Sequence, residues 1–345
     1  MEIIAEIGKN FVTTEQPQPL DVLVFRAKEL ILAAQNAGAK IVKFQVHTVD
    51  DEVHPDTKII APHFKHDRYE WVKRNTYPVE FWREIKKFCE FVGVEFLATP
   101  MSRGAAELLN EEIGVERWKI GSGDILDFPM LDYIRDTGRP VILSSGMSLY
   151  EELQDSYEYL IEKTRDVSIL HCVSLYPCAL DDLNLATIPF LKKKFQTKIG
   201  FSDHSLEVSS GLFAKQLGAE IIEKHFTLDR SAWGPDHKVS LEPGEFAQFV
   251  KEINEDKVVE IPVEAMGIPA KAVANDELPF RSAFRKGLYA ARDIEAGEIF
   301  EPDMLVALRP MIPESVSSEH YVNFLGKTNT ETLKKNQKIT YGNIT

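Results

Sequence analysis

Residues 198–226 read KIGFSDHSLEVSSGLFAKQLGAEIIEKHF. An apolar run, Lys198–Ser202, gives way to a segment of helical period, Val208–Leu217, then to Gly218 and a second apolar run, Glu220–Phe226. Gly218 falls where a helix C-cap favours the left-handed conformation, so the stretch reads as strand, helix, stop, strand. Strands apolar on both faces and joined by a crossover helix belong in a parallel sheet.

The same unit recurs upstream. Ile3–Ile7, Ile41–His47, Glu95–Pro100, Arg117–Gly121, Pro140–Ser144 and Val167–Val173 bring the strands to eight. Between and after them lie helix candidates Leu20–Asn36, Val79–Val92, Ala105–Glu112, Pro129–Asp136, Tyr150–Lys163, Leu185–Lys194 and Glu245–Asn254. Eight β-then-α units predict an α/β fold, a (β/α)8 TIM barrel over residues 1–256. The alternative, a doubly wound open sheet, has no reason to stop at eight units, and no GxGxxG appears. Residues 257–282, with Pro262, Gly267 and Pro269, read as a linker. Over 283–345, the segments Gly287–Ala291, Asp293–Glu298, Leu305–Pro310 and Gln337–Thr340 predict a small β-rich second domain.

The chain has 345 residues, 44% of them hydrophobic and 27% charged, which supplies a sizeable core and excludes wholesale disorder. Its net charge of −14 disfavours nucleic acid and anionic membranes as partners but leaves room for a small anionic substrate. No run of 18 apolar residues occurs, and Met1-Glu2-Ile3-Ile4-Ala5-Glu6 lacks the regions of a signal peptide, so the expected location is the cytoplasm. Cys89, Cys172 and Cys178, odd in number and without CxxC spacing, read as reduced buried thiols.

In such a barrel the chemistry sits at the carboxyl ends of the strands and in the loops that follow. Those ends carry Glu6, Lys43, Gln45, Thr99, Lys119, Ser122, Asp124, Ser144, Ser174, Tyr176, Ser202, His204, Glu223 and His225. Lys43 and Lys119 stand within otherwise apolar strands, where a lysine meets either a bound anion or a structural partner such as Glu6 or Glu223. Gly121-Ser122-Gly123 and Ser144-Ser145-Gly146 offer amides and hydroxyls suited to a phosphate. His204 and His225 end adjacent strands and could share one divalent ion, with His171 and His237 as rival ligands. Asp236, in Gly234-Pro235-Asp236-His237, either orients a substrate hydroxyl or caps its own turn. The loops Lys9–Pro19 and Thr48–Arg74 are long enough to select substrate, and His54, His63 and His66 in the second read as exposed.

Ala5-Glu6-Ile7-Gly8, Val42-Lys43-Phe44-Gln45, Ala98-Thr99-Pro100, Lys119-Ile120-Gly121-Ser122-Gly123, Leu175-Tyr176-Pro177, Gly200-Phe201-Ser202-Asp203-His204, Glu223-Lys224-His225-Phe226-Thr227 and Gly234-Pro235-Asp236-His237 together resemble the sialic acid synthase family. The resemblance extends through the tail, which is similar to that family's antifreeze-like (SAF) domain. It implies condensation of phosphoenolpyruvate with the open-chain aldehyde of an N-acylated hexosamine, giving a nine-carbon 2-keto sugar acid and phosphate. By motif, Lys43, Thr99, Lys119, Ser122, Ser144 and Ser202 would grip phosphoenolpyruvate, and His204 and His225 would hold a divalent metal, Mn or Mg. Glu6, Gln45, Glu223 and Asp236 would surround the reacting centre. Asp124, Ser174, Tyr176 and Arg309 would meet the sugar, Arg309 arriving from the partner subunit of a domain-swapped homodimer. Two other readings are condensation with a different aldose, phosphorylated or not, and a catalytically silent carbohydrate-binding homologue. The chain departs from the family at Lys9-Asn10-Phe11-Val12, where Asn-His-x-Gly is usual, at Asp124, where Glu is common, and at Ser174, where Asn or Thr is frequent.

Overall fold

Eight parallel strands form the centre of the molecule: β1 (Glu2–Gly8), β2 (Ile41–Val46), β3 (Glu95–Pro100), β4 (Trp118–Ile120), β5 (Val141–Ser144), β6 (Val167–Cys172), β7 (Ile199–Asp203) and β8 (Ile221–His225). They hydrogen-bond in the order β3-β2-β1-β8-β7-β6-β5-β4, and the two end strands lie side by side at the seam. The result is a nearly closed (β/α)8 barrel. The computed structural model describes residues 1–345 apart from 57, 59, 62, 63 and 256, with 61, 64 and 65 described by backbone alone. His63 and the expected barrel boundary at Asp256 lie outside the described residues.

Period-two alternation builds the barrel interior. Ile4, Ile41, Leu97, Ile142, Leu170 and Ile221, one from each of six strands, form a separate apolar cluster that floors the lumen. Two residues further along each strand the same inward face presents Glu6, Lys43, Thr99, Ser144, Cys172 and Glu223. Each floor side chain contributes roughly 1.5–3 kcal/mol by burial, and the layer above it is the polar one. The opposite faces meet the helices: α1 (Leu20–Asn36) buries Leu23, Ala27, Leu30, Ile31 and Ala34, spaced three and four apart, and α2 (Val79–Val92) buries Phe81, Trp82, Ile85 and Cys89. Cys89, Cys172 and Cys178 are free and buried. Among the described residues no helix is long and apolar enough to cross a membrane.

The long second loop is ordered by a hairpin, Ile60–Ala61 with Phe64–Asp67, and by the helix Arg68–Arg74. The Asp67 side chain caps that helix by accepting from the Glu70 N–H at 3.1 Å. Residues 257–282 are not slack chain. The amides of Leu185 and Ala186 donate to the carbonyls of Ala265 and Met266 at 2.9 and 2.8 Å, and Glu277 Oε1 accepts from the amides of Met147 and Ser174 at 3.0 and 2.8 Å. A helix, Leu278–Phe284, crosses the expected boundary at 282, because Pro279 sits in its first turn, where proline is tolerated.

In the small domain β9 (Gly287–Ala290) and β10 (Leu305–Leu308) pair antiparallel, Gly287 opposite Leu308. The other two expected strands make only single bridges, Ile294 with Leu333 and Tyr289 with Lys338. Left-handed residues interrupt them: Gly297 has φ 90° and Asn336 has φ 66°. The domain docks on the carboxyl face of its own chain's barrel, where Lys286 Nζ reaches Asp127 Oδ2 (2.6 Å), Asp124 Oδ1 (2.9 Å) and the Met101 carbonyl (2.7 Å).

Candidate active site

A cavity of about 1040 Å³, open to solvent, occupies the carboxyl end of the barrel. Fourteen of the sixteen site residues expected from sequence line it: Glu6, Lys43, Gln45, Thr99, Lys119, Ser122, Asp124, Ser144, Tyr176, Ser202, His204, Glu223, His225 and Asp236. Ser174 and Arg309 stand behind its wall. Ser174 is fully buried, with its hydroxyl where a Cβ on Gly146 would collide at 2.3 Å. Arg309 is also fully buried and donates to Asp124 Oδ1 (2.6 Å), Glu52 Oε1 (3.1 Å) and the Phe284 carbonyl (3.0 Å). These partners are all in its own chain.

At the bottom, two lysines and two carboxylates form a closed electrostatic set. Lys43 Nζ lies 2.7 Å from Glu6 Oε2 and 3.5 Å from Glu223 Oε1, and donates to Thr99 Oγ1 at 3.2 Å. Lys119 Nζ donates to Ser144 Oγ at 2.6 Å and lies 3.8 Å from Glu223 Oε2. Ser202 Oγ donates to Glu223 Oε1 at 3.1 Å, and Gln45 Nε2 to Glu6 Oε1 at 2.9 Å. The structural partners anticipated for the lysines are therefore present, and they face the cavity. Burial, reinforced by the charge of Glu223, raises the pKa of Glu6. Burial acts on Glu223 in the same direction, but Lys119 and Lys43 outweigh it and hold Glu223 down at about 2. Two neighbouring carboxyls are thus driven apart, one toward the protonated form and one toward the ionised. Gly8 makes room for the pair: at φ 55°, a Cβ there would sit 3.1 Å from Glu6 Oε1.

His204 and His225 form the opposite wall, with ring centroids 5.3 Å apart. The Val173 carbonyl lies 2.8 Å from His204 Nδ1 and fixes that ring, leaving Nε2 for the cavity. His225 Nδ1 is buried with no hydrogen-bond partner among the described residues, and burial lowers its pKa to about 3, so the imidazole is neutral. Burial opposes charge on His204, but the neighbouring Cys172 and the Val173 carbonyl hold its pKa up at about 9, so a divalent ion would take the place of its proton there. With His225 neutral, the pair then offers an ion two nitrogens and open coordination positions. No group of three or more metal-ligating side chains occurs among the described residues, so the remaining ligands would be substrate or water. The rival histidines do not line the cavity: His171 Nε2 lies 2.8 Å from the Leu183 carbonyl and His237 Nε2 3.1 Å from the Val12 carbonyl.

The outer wall comes from residues that no strand pattern marks: Lys9, His66, Arg68, Trp71, Phe280 and Phe284. His66, expected to be exposed, packs 5.4 Å from the Trp233 ring. His54 lies away from the cavity, with Nε2 3.0 Å from the Asn336 carbonyl. Lys9 and Arg68 come from the two long loops. Phe280 and Phe284 come from the helix that bridges linker and small domain, and the only sequence signal for it is the apolar spacing of Phe280 and Phe284 after Pro279.

Comparison with known proteins accords with this geometry. Residues 30–260 match the NeuB family and residues 285–345 the SAF domain. The chain is 33% identical to the N,N'-diacetyllegionaminic acid synthase of Campylobacter jejuni, covering 91% of this chain and 93% of that protein. It is 32% identical to the human N-acetylneuraminate-9-phosphate synthase, covering 98% and 90%. Among solved structures, the spore coat polysaccharide biosynthesis protein spsE of Bacillus subtilis superposes with a TM-score of 0.82 at 28% identity, covering 100% of this chain and 95% of that one.

Proposed function

The chain belongs to the NeuB family, and from that premise we propose that it condenses phosphoenolpyruvate with the open-chain aldehyde of an N-acylated mannosamine-type aldose, releasing phosphate and a nine-carbon 2-keto sugar acid. The observation that carries the reading is the deep wall. Two buried lysines with hydroxyl donors beside them suit a ligand bearing both a carboxylate and a phosphate. Ser122 and Ser202 add hydroxyls on the same wall.

His204 and His225 would hold a divalent ion, Mn or Mg, whose chemistry when bound is to polarise the aldehyde. The chain's own residues handle the protons. Attack of the enol carbon on the aldehyde carbon forms the C–C bond and leaves charge on the former aldehyde oxygen, to which Glu6 gives its proton. Water then adds to the carbon bearing the phosphate ester and gives a proton to the now ionised Glu6. Cleavage of the C–O bond releases phosphate, which takes the proton of the new hydroxyl as the ketone forms. Gln45 holds Glu6 in place, Glu223 keeps both lysines charged and aimed, and Asp236 and Tyr176 meet the sugar hydroxyls.

The test is purified protein with Mn²⁺, phosphoenolpyruvate and a panel of N-acylated aldoses. Phosphate release that EDTA abolishes is expected. Absence of release with every sugar, together with no calorimetric binding of phosphoenolpyruvate or metal, would favour a silent carbohydrate-binding homologue.

A further inference from the structure

Two cations on the outer wall have no part in the reaction as read above. Lys9 and Arg68 are only 7% and 8% exposed, and both line the cavity. The Lys9 ammonium donates to the neutral Gln45 Oε1 and forms no ion pair among the described residues, although Asp236 is its strongest charge neighbour. Arg68 Nη2 donates to Glu52 Oε1 at 3.0 Å, but that same oxygen also serves Arg309 at 3.1 Å. Arg68 Nε is buried with no hydrogen-bond partner among the described residues. Its guanidinium carbon lies 4.4 Å from the centre of the Phe284 ring, a cation–π contact that helps hold the side chain in place.

Buried donors and charges left short of partners are costly unless a ligand completes them. The anions of phosphoenolpyruvate are already matched by Lys43 and Lys119 at the deep end, so this second pair answers a different charge. We propose, on the reading that the chain is a phosphoenolpyruvate-dependent synthase, that Lys9 and Arg68 form a subsite for an anionic group, a phosphate ester or a carboxylate, on the acceptor sugar at the end remote from its aldehyde. The fork of Arg68 supplies the geometry and Lys9 a point charge.

The experiment compares three acceptors at fixed metal and phosphoenolpyruvate: an N-acylmannosamine, its 6-phosphate and the corresponding uronate. The wild type should prefer one anionic acceptor by about 100-fold in kcat/KM, two charge-assisted contacts at roughly tenfold each, and the two anionic arms tell phosphate from carboxylate. Arg68→Gln and Lys9→Gln should each remove about tenfold of that preference, through the KM of the acceptor, with the KM of phosphoenolpyruvate unchanged. Equal or better use of the neutral sugar by the wild type overturns the proposal, as does an equal loss on all three acceptors. Should Arg68→Gln not fold, Arg68→Lys, which keeps the charge and loses the fork, and Lys9→Gln carry the same comparison. Calorimetry of the 6-phosphate and the uronate against wild type and the Lys9→Gln variant separates the two claims. An anionic sugar that binds through Lys9 without any condensation leaves the subsite standing and sinks the synthase reading, whereas no Lys9-dependent binding sinks the subsite.

Discussion

Arg309 Nη2 lies 2.6 Å from Asp124 Oδ1, and this contact ties the small domain to the barrel that precedes it in the same chain. It is reinforced by the backbone, where the Arg309 amide donates to the Glu52 carbonyl and the His54 amide to the Arg309 carbonyl, both at 2.9 Å. Asp124 Oδ2 is buried at the cavity wall with no hydrogen-bond partner among the described residues, so Arg309 orients a carboxylate that lines the cavity. Co-expressing Arg309→Ala with Lys119→Ala should tell which barrel the small domain serves: if each small domain serves its own chain, no activity is restored, because neither chain can lend the other its intact half. A domain-swapped dimer would instead recover activity in about a quarter of its sites by random pairing of subunits.

His225→Ala should abolish Mn²⁺ binding measured by calorimetry and activity together, with the circular dichroism spectrum and melting temperature held within a few degrees. The ring lines the cavity, 5.3 Å from His204 and 6.4 Å from Tyr176, and is no part of the apolar floor cluster, so its removal should leave that layer intact. Retained metal affinity would transfer the ion to other residues.

The legible part of this site is the part that obeys strand periodicity. Ile4 then Glu6, Ile41 then Lys43, and Ile221 then Glu223 are written in the sequence as inward alternation, and the barrel turns that alternation into a floor and a wall. Lys9, Arg68 and Phe284 were invisible by the same rule, since loop and linker residues have no period and their direction is set by tertiary partners such as Glu52. Ser174 fails for a related reason. It follows a strand, but capture of its amide by Glu277 sets its backbone from outside that strand, and the hydroxyl faces Gly146. Residues 257–282 read as a linker from their proline and small residues, which carry no sign of the contacts that Glu277 and Ala265 make with the barrel.

Buried neutral histidines should make the fold acid-sensitive well above the carboxylate range. Burial lowers His171 to about 4 from 6.5, so between these values the unfolded chain binds a proton that the native chain refuses. Stability therefore rises with pH across this window, and is lost as pH falls from about 6.5 toward 4, by on the order of 3 kcal/mol for this one group. Stabilities from urea titrations at pH 7 and pH 5 should differ by about 2 kcal/mol, the part of that loss lying above pH 5, and His171→Asn should flatten the difference while lowering stability at pH 7. An unchanged midpoint between the two pH values would remove His171 from the account.

Gly8→Ala should cost about 1–2 kcal/mol from the left-handed backbone alone and should lower kcat more than it lowers stability. The new methyl would press on Glu6 Oε1 and on Gln45 Nε2, 3.3 Å away. A variant with wild-type kcat would show that Glu6 tolerates displacement and is not the proton carrier.

The opposed carboxyls provide the sharpest test of mechanism. Glu6 is held toward its protonated form by burial and by Glu223, so the competent donor is lost as pH rises through its raised pKa, which places an alkaline limb on the kcat profile. Glu6→Gln should lower kcat by roughly 10²–10⁴-fold, the span of general acid–base catalysis, and the residual activity should lack that limb. Glu223→Gln should act differently, because Glu223 touches both lysines and Ser202. Its loss should raise the KM of phosphoenolpyruvate, with a smaller change in kcat and the alkaline limb preserved. If instead Glu223→Gln erased the limb and Glu6→Gln moved only KM, the two roles would be exchanged, and the proton would travel through the carboxylate that the lysines hold ionised.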